Sequence, residues 1–460
     1  MKLYNTLSEQ KEPLPDQKKL NMFVCGPTVY DDAHIGHART YIFFDFFAKY
    51  LRSRGYEVFY LQNITDVDDK IIKRAAEENK DPIALAKEMT ERYLADMKRL
   101  GVNGVTKYAP ATDFISQIVA QVLRLIEKGF AYEIKNDGWY FDLSKFPDYG
   151  ALSHRTALQA EDAVSRIDEA ADKRNKGDFC LWKFSKPGEP AWPASIGAGR
   201  PGWHIEDTAI SEYQFGPQYD IHGGGVDLKF PHHEAEIAQQ EAASGKKPFV
   251  KLWMHTGALL VDGKKMSKSL GNFVTIADFL KDNSGETLRW ITLGHHYRSP
   301  VDYSADVLMQ AKTSLHNLYM SAGRFAFAER AGKGTKAVNA AKTLAETEMK
   351  FHESLEDDMN TPGAIATIFG IVSAYEKSVW TMLPDEAKAI REWLMTSLAA
   401  LGFAPLTPEI PDNIMKLAAE REEYRTNKQF IPSDDLRKKI NDLGYEIEDT
   451  PQGPFLWPKS

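Results

Sequence analysis

The sequence predicts an α/β protein: a parallel-sheet catalytic domain of the dinucleotide-binding (Rossmann) type, split by an insertion and followed by an α-helical bundle and a small carboxyl-terminal module. Three observations predict it. Residues 19–24 and 56–64 are short apolar runs of strand type, and each leads into a helical pattern. A turn containing His34, Gly36 and His37 joins the first strand to the first helix. From about residue 276 the spacing of apolar residues becomes helical.

The chain has 460 residues, enough for two to four domains with at least one sizeable core. Its 43% hydrophobic and 27% charged content is that of an ordinary globular protein. A net charge of −8 gives no global positive field, so any nucleic-acid contact must come from local basic and aromatic patches. The first dozen residues lack the apolar core of a signal peptide, and no run reaches the length of a membrane span. Two cysteines, Cys25 and Cys180, do not make a disulfide framework. A reducing cytoplasm and no membrane association are expected.

In chain order, 19–24 is a buried strand and 41–52 a helix with apolar residues over most of its surface. Strand, glycine-containing turn and helix together present backbone N–H groups to a phosphate. His34 and His37 can add hydrogen bonds there, and Gly36 leaves room for a nucleotide against the backbone. On its own such a turn would pass for a surface feature. The strand at 56–64 ends in Thr65, Asp66, Asp68 and Asp69, which suit either a divalent metal or a helix cap through Asp68. The cap is preferred, with Thr65 at the strand's carboxyl end, where such folds bind ligands.

Helices are predicted near 82–100 and 111–129, and a hairpin turning at Asp137-Gly138. Residues 160–177 are charge-rich and aperiodic, a surface excursion. Further on come Trp203, His204, Glu206 and Asp207, then His222-Gly223-Gly224-Gly225 and Asp227, then Pro231-His232-His233-Glu234-Ala-Glu236. Pro231 suits a helix start. His232 and Glu236, four apart, then share a face, as half of a zinc site or as an exposed ion pair. The three glycines fit either close backbone approach to a nucleotide or a flexible loop.

About 230 residues after the histidine turn, Lys265-Met-Ser-Lys268-Ser269 follows a hairpin-like stretch. The histidine turn and this lysine loop, in that order, resemble the signature pair of class I aminoacyl-tRNA synthetases. The resemblance sharpens to the cysteinyl-tRNA synthetases over nearly the whole chain. It is carried by residues 23–30, by Asn63 to Lys70, by Gly202 to Glu206, by His222 to Gly225, by Pro231 to Glu236 and by the ending around 448–453.

That resemblance implies domains at 1–114 and 196–275 for the two catalytic halves, with a connective insertion at 115–195. It implies a linking region at 276–306 that contacts the tRNA stem, a helical bundle at 307–405 and an anticodon module at 406–460. Catalysis is assigned to His34, His37, Lys265 and Lys268. ATP binding is assigned to Gly36, His222, Gly223, Gly224 and Lys268, and the amino-acid pocket to Gly26, Thr28, Thr65, Trp203, His204 and Asp227. A zinc ion is implied at the pocket floor, on Cys25, His232 and Glu236. The fourth family ligand is a cysteine after Trp-His-Ile-Glu, and this chain has Asp207 there. Aspartate can still bind zinc through oxygen, with weaker affinity and broader metal selection expected. Mg2+ is expected with ATP, and the implied partners are ATP, L-cysteine and tRNA(Cys), with the enzyme a monomer.

In the carboxyl-terminal third, Arg425, Phe430, Asp434 and Trp457 are the candidates for anticodon contact, in a stretch mixing cations and aromatics that also suits a solvated charged helix. Two other readings compete. A ligase joining cysteine to a small-molecule amine would have no use for the carboxyl third. A non-catalytic paralogue that binds tRNA or adenylate is favoured only by Asp207, and an intact set of His34, His37, Lys265 and Lys268 opposes it.

Overall fold

The computed structural model describes residues 1–155, 172–267, 270–404 and 408–459. The chain divides into two compact units: Met1–Thr292 with Tyr297–Tyr303, and Leu293–His296 with Ser304–Ser460.

The first unit opens with a hairpin, β1 (Lys2–Asn5) and β2 (Gln10–Pro13), and then builds the first half of a parallel sheet. β3 (Lys19–Val24) leads into α1 (Ile35–Ser53) and β4 (Glu57–Ile64). Helices α2 (Asp69–Glu78) and α3 (Pro82–Arg99) connect to β5 (Lys107–Pro110). Asp68 does cap α2, its side chain accepting from the Lys70 N–H at 2.8 Å, as preferred from the sequence. Next come α4 (Ile115–Glu127) and an antiparallel sheet of β6 (Ala131–Ile134), β7 (Gly138–Phe141), β8 (Phe179–Phe184) and β9 (Gly199–Pro201). Part of the 160–177 excursion, residues 160–171, lies outside the described residues. The second half consists of α5 (Ile205–Phe215), β10 (Tyr219–Gly225), α6 (His232–Ser244) and β11 (Val250–Thr256). β12 (Leu259–Val261) and β13 (Lys264–Lys265) form the hairpin before the lysine loop, and β14 (Val301–Tyr303) pairs with β12. Sequence reading missed β14, whose three residues are too few to show a period.

The five-stranded sheet runs β11-β10-β3-β4-β5, parallel throughout. Its order reverses between β3 and β10, so a crevice opens beyond the carboxyl ends of those two strands. Cys25, His34 and Gly225 all come from the turns at that crevice. α1 covers one face, and Phe44 lies so close to β10 that a Cβ on Gly223 would come within 2.2 Å of its ring. The other face carries α4, α5 and α6 in one buried cluster that includes Phe23, Cys25, Ile118, Ile205 and Ala235. α4 therefore packs with the catalytic sheet, whereas the separate antiparallel sheet begins at Ala131 and runs on to Pro201.

Arg39 of α1 is 1% exposed and has no carboxylate partner among the described residues. Its guanidinium donates instead to the main-chain carbonyls of Gly257, Ala258, Tyr297 and Ser299. These lie on the chain entering and the chain leaving the segment that holds the lysine loop. Arg39→Met would remove all four contacts, leaving the Ala258 and Tyr297 carbonyls only their bonds from the Val301 and Gly257 N–H groups, and the expected loss of stability is about 3 kcal/mol. Urea unfolding followed by tryptophan fluorescence measures it, and an unshifted midpoint would refute the clamp.

The second unit contains α9 (Ala305–Ala331), α10 (Ala340–Glu356), α11 (Thr361–Tyr375) and α12 (Pro384–Ala400), numbering Ile276–Asp282 and Gly285–Leu293 as α7 and α8. Asn360 caps α11 through the Gly363 N–H. Two shorter helices follow, α13 (Asp412–Thr426) and α14 (Phe430–Asp442), then the hairpin β15 (Tyr445–Thr450) and β16 (Gly453–Pro458). Trp457 is 7% exposed and fills the space left by Gly323 on α9, where a Cβ would meet the ring at 2.2 Å. Trp457, expected at the anticodon, is thus a buried anchor of the hairpin. Arg425 is ion-paired with Glu422 and Asp449, Asp434 is exposed, and Phe430 is 63% exposed.

Candidate active site and metal centre

At the amino end of α1, His34 is the cap residue, and its Nδ1 accepts from the N–H groups of Gly36 and His37. His37 returns the contact, its Nδ1 accepting from the His34 N–H at 3.4 Å. The two rings stack with centroids 3.7 Å apart. With both Nδ1 atoms accepting, a neutral imidazole must carry its proton on Nε2. Burial holds both rings neutral: His34 is pulled down to about 4, with Asp227 opposing, and His37 well below its usual range. The result is a pair of N–H donors at a helix amino terminus, suited to an anionic oxygen. A Cβ on Gly36 would meet the His34 ring at 2.8 Å, so glycine permits this arrangement.

Near the lysine loop, Ile35 N–H donates to Val274 O and Ile276 N–H to Ala33 O, tying that chain to the histidine turn. Lys265 is exposed, and Met266 lies beside Gly36. Lys268 and Ser269 lie outside the described residues.

Below the turn, Cys25, Asp207, His232 and Glu236 present one donor atom each, all within 4.8 Å of one another and all buried. β3 delivers Cys25, the first turn of α5 delivers Asp207, and the first two turns of α6 deliver His232 and Glu236. His232 Nε2 is 3.0 Å from Asp207 Oδ2 and 3.0 Å from Glu236 Oε1, and Cys25 Sγ is 3.7 Å from Glu236 Oε1. Glu236 Oε2 is buried without a hydrogen-bond partner. Burial and the neighbouring carboxylates push the Cys25 thiol well up, and burial raises Glu236 against the pull of His232. Burial pulls His232 down, but Glu236 and Asp207 outweigh it and push it up to about 10. A crowded, buried set of one thiol, one imidazole and two carboxyl groups, with one carboxyl oxygen unsatisfied, fits a divalent cation, which would favour the deprotonated thiol and carboxylates and the neutral imidazole.

A second group shares two members: Cys25 and Glu236 with His222 and His233. Its histidines are held from behind, His222 Nδ1 by Tyr219 Oη at 2.6 Å and His233 Nδ1 by His255 Nε2 at 2.8 Å. If Tyr219 and His255 are the donors there, the Nε2–H groups of both histidines point at Cys25 Sγ, 3.2 and 3.1 Å away. In the first group the other nitrogen of His232 contacts His204 Nδ1, and with His232 as the donor there its Nε2 is an acceptor open to a cation.

These positions test the sequence reading residue by residue. Cys25, Asp207, His232 and Glu236 come together, as do His34, Gly36 and His37. Trp203 stacks on His232 at 4.7 Å, His204 is its hydrogen-bond partner, and Thr28 bridges to Thr65, whose hydroxyl donates to Glu206. Asp227 is exposed at the His34 end, beside Gly225. Of the residues expected at ATP, His222 is fully buried on the Cys25 side, and Phe44 packs where a Cβ on Gly223 would sit. Gly224 is buried against His233. Two residues given no role in the sequence reading stand out. Asn63 contacts Asp207, and Lys70 lies 5.6 Å from both the Tyr30 and Trp203 rings. Their sequence signal was their place at the two ends of the 63–70 stretch that carries part of the family resemblance.

A reversed parallel sheet whose switch point carries a helix terminus with two neutral histidines defines a nucleotide-activating enzyme of the class I synthetase type. Residues 11–313 match the family model "tRNA synthetases class I (C) catalytic domain", and residues 350–404 match a DALR domain. The chain is 42% identical to a cysteine–tRNA ligase of Thermoplasma volcanium, covering 99% of this chain and all of that one. It is 41% identical to those of Thermococcus gammatolerans and Coxiella burnetii, covering 98% or more of each chain. Among solved structures, the Mycobacterium tuberculosis methionyl-tRNA synthetase with methionyl-adenylate shares the fold at TM-score 0.62 and 16% identity, over 84% of this chain and 90% of that one. The chain belongs to the cysteine–tRNA ligase family of class I aminoacyl-tRNA synthetases. Among the described residues no helix is long and apolar enough to cross a membrane.

Proposed function

We propose that the chain activates L-cysteine with ATP to cysteinyl-adenylate and transfers the cysteinyl group to the 3' end of tRNA(Cys). The observation that carries this reading is the buried donor set of Cys25, Asp207, His232 and Glu236 beside the histidine pair. Cysteine and serine differ by one atom, which shape alone discriminates poorly. A zinc ion held by these four residues would supply a bond that favours sulfur over oxygen. Trp203 and Thr28 wall the amino-acid pocket, with Thr65 anchoring its floor through Glu206. Asp227 serves the substrate ammonium.

In the first step the cysteine carboxylate attacks the α-phosphorus of ATP, the bond to the β-phosphate oxygen breaks, and pyrophosphate leaves. No covalent enzyme intermediate is needed, so the residues work by position and charge. The Nε2–H groups of His34 and His37 donate to the phosphate oxygens as charge builds on them. Lys265 and Lys268 hold the pyrophosphate side, and Mg2+ accompanies the nucleotide. Phe430, Asp434 and Arg425 are the candidates for anticodon contact.

ATP–pyrophosphate exchange with cysteine against serine, with and without a strong chelator, tests the reading. The expected result is exchange with cysteine alone, lost on chelation and restored by zinc. Exchange that survives metal removal would refute selection through this site, and no exchange with any amino acid would favour a non-catalytic role.

A further inference from the structure

Asn63 lies near the end of β4, with its side chain 2% exposed in the floor of the site. The Gly26 N–H donates to its Oδ1 at 2.6 Å. A donor on that side selects the amide oxygen, so the NH2 group must turn the other way. It faces Asp207 Oδ1 at 2.5 Å, with Thr65 Oγ1 and Glu206 Oε1 at 3.4 Å. The other oxygen of Asp207, Oδ2, is the one 3.0 Å from His232 Nε2. One oxygen is occupied by Asn63, and the other is turned to the metal donors.

We propose that Asn63 is a positioning residue that makes Asp207 a one-oxygen metal ligand, so that a carboxylate takes the place of a thiolate without changing the donor count. The proposal rests on the metal reading above. A thiolate offers one donor atom, whereas a carboxylate offers two and can close on a cation with both. Chelation by both would add a fifth protein donor and crowd the position a substrate needs. The amide prevents this by satisfying Oδ1 with a hydrogen bond. Charge is also kept: aspartate, like the thiolate it replaces, brings one negative charge. Gly26 is part of the device, since a Cβ there would meet the Asn63 carbonyl oxygen at 1.8 Å. Through this one side chain the turn that carries Cys25 and the helix that carries Asp207 are held in register.

The test uses the full chain, stripped and reloaded with cobalt(II) or zinc(II). Affinity is read by competition with a chromogenic chelator, and coordination by the visible absorption of cobalt, intense when four-coordinate and weak at higher number. Asn63→Ala is expected to weaken zinc binding about 10- to 100-fold and to dim the cobalt band. Asn63→Leu keeps the size but offers no donor, so it gives the same losses. In an Asp207→Cys background, where no second oxygen exists, Asn63→Leu should leave the cobalt band intact, which separates loss of the donor from loss of the Gly26 contact. Unchanged affinity and spectrum in Asn63→Leu would overturn the proposal, as would equal dimming in the Asp207→Cys background. Failure of the underlying metal reading looks different: the unaltered chain would then bind neither ion.

Discussion

Replacing His37 by alanine is expected to slow cysteine-dependent ATP–pyrophosphate exchange about 100- to 1,000-fold, with little change in the KM for cysteine. The size follows from what the residue is. His37 is half-buried and locked, held neutral by desolvation, with Nδ1 accepting from the backbone of His34 and Nε2–H left as its donor. A donor fixed in advance needs no reorganisation when charge develops on phosphate, which is where such groups contribute most. His37→Asn, which keeps an N–H on a shorter arm, should recover part of the loss. The pH profile separates this role from that of a cationic histidine. Because burial keeps His34 at about 4 and His37 well below the usual range, neither titrates in the working range, and neither puts a limb on the profile between about pH 6 and 8. An acid limb near pH 6.5 that vanishes in His37→Ala would refute the neutral-donor role. So would an alanine variant that keeps full rate.

Much of this site was legible before any coordinates, and the reason is local. The strand of 19–24 and the helix from Ile35 follow from apolar patterning and a turn whose cap is written in His34-Ile-Gly36-His37. His232 and Glu236 are one helical turn apart, so spacing alone puts them on one face. Cys25 and Asp207 are 182 residues apart in a chain where nothing local joins them, and only family resemblance linked them. Non-local facts stayed hidden for the same reason. That His222 turns toward Cys25 depends on which face of β10 each residue of His222-Gly223-Gly224 presents, and a glycine run carries no alternation to read. Trp457 looked like a stacking platform because aromatics near cations suit bases. Gly323, more than a hundred residues earlier, gives its ring a socket that no pattern around Trp457 announces. Asn63 passed as one polar residue near the end of a strand, and its role appears only when Gly26 and Asp207 are brought to either end of its amide.

In the presence of a chelator the protein should lose its fold steeply as pH falls below about 6.5, well before most carboxylates protonate. Burial is the main cause lowering His34, His37, His204, His222, His233 and His255, the last to about 3. In an unfolded chain each returns to about 6.5. Below that pH the unfolded chain takes up a proton at each position and the folded chain does not, so stability falls with pH until the folded value is reached. Each such group adds to the slope in that window, by at most about 1.4 kcal/mol per pH unit where the two states differ by a whole proton. The loss begins as pH falls through 6.5 and continues toward about 4 for His34 and about 3 for His255. His232 runs the other way. Its folded value near 10 gives stability that is fully present below 6.5 and lost only as pH rises toward 10, so it does not soften the acid transition. Circular dichroism and tryptophan fluorescence along a pH series measure the transition, and His255→Gln should flatten its slope by the equivalent of one proton. A stability that stays level from pH 7 to 5 would mean that these rings accept protons in the folded state, and would remove the ground for treating His34 and His37 as neutral donors.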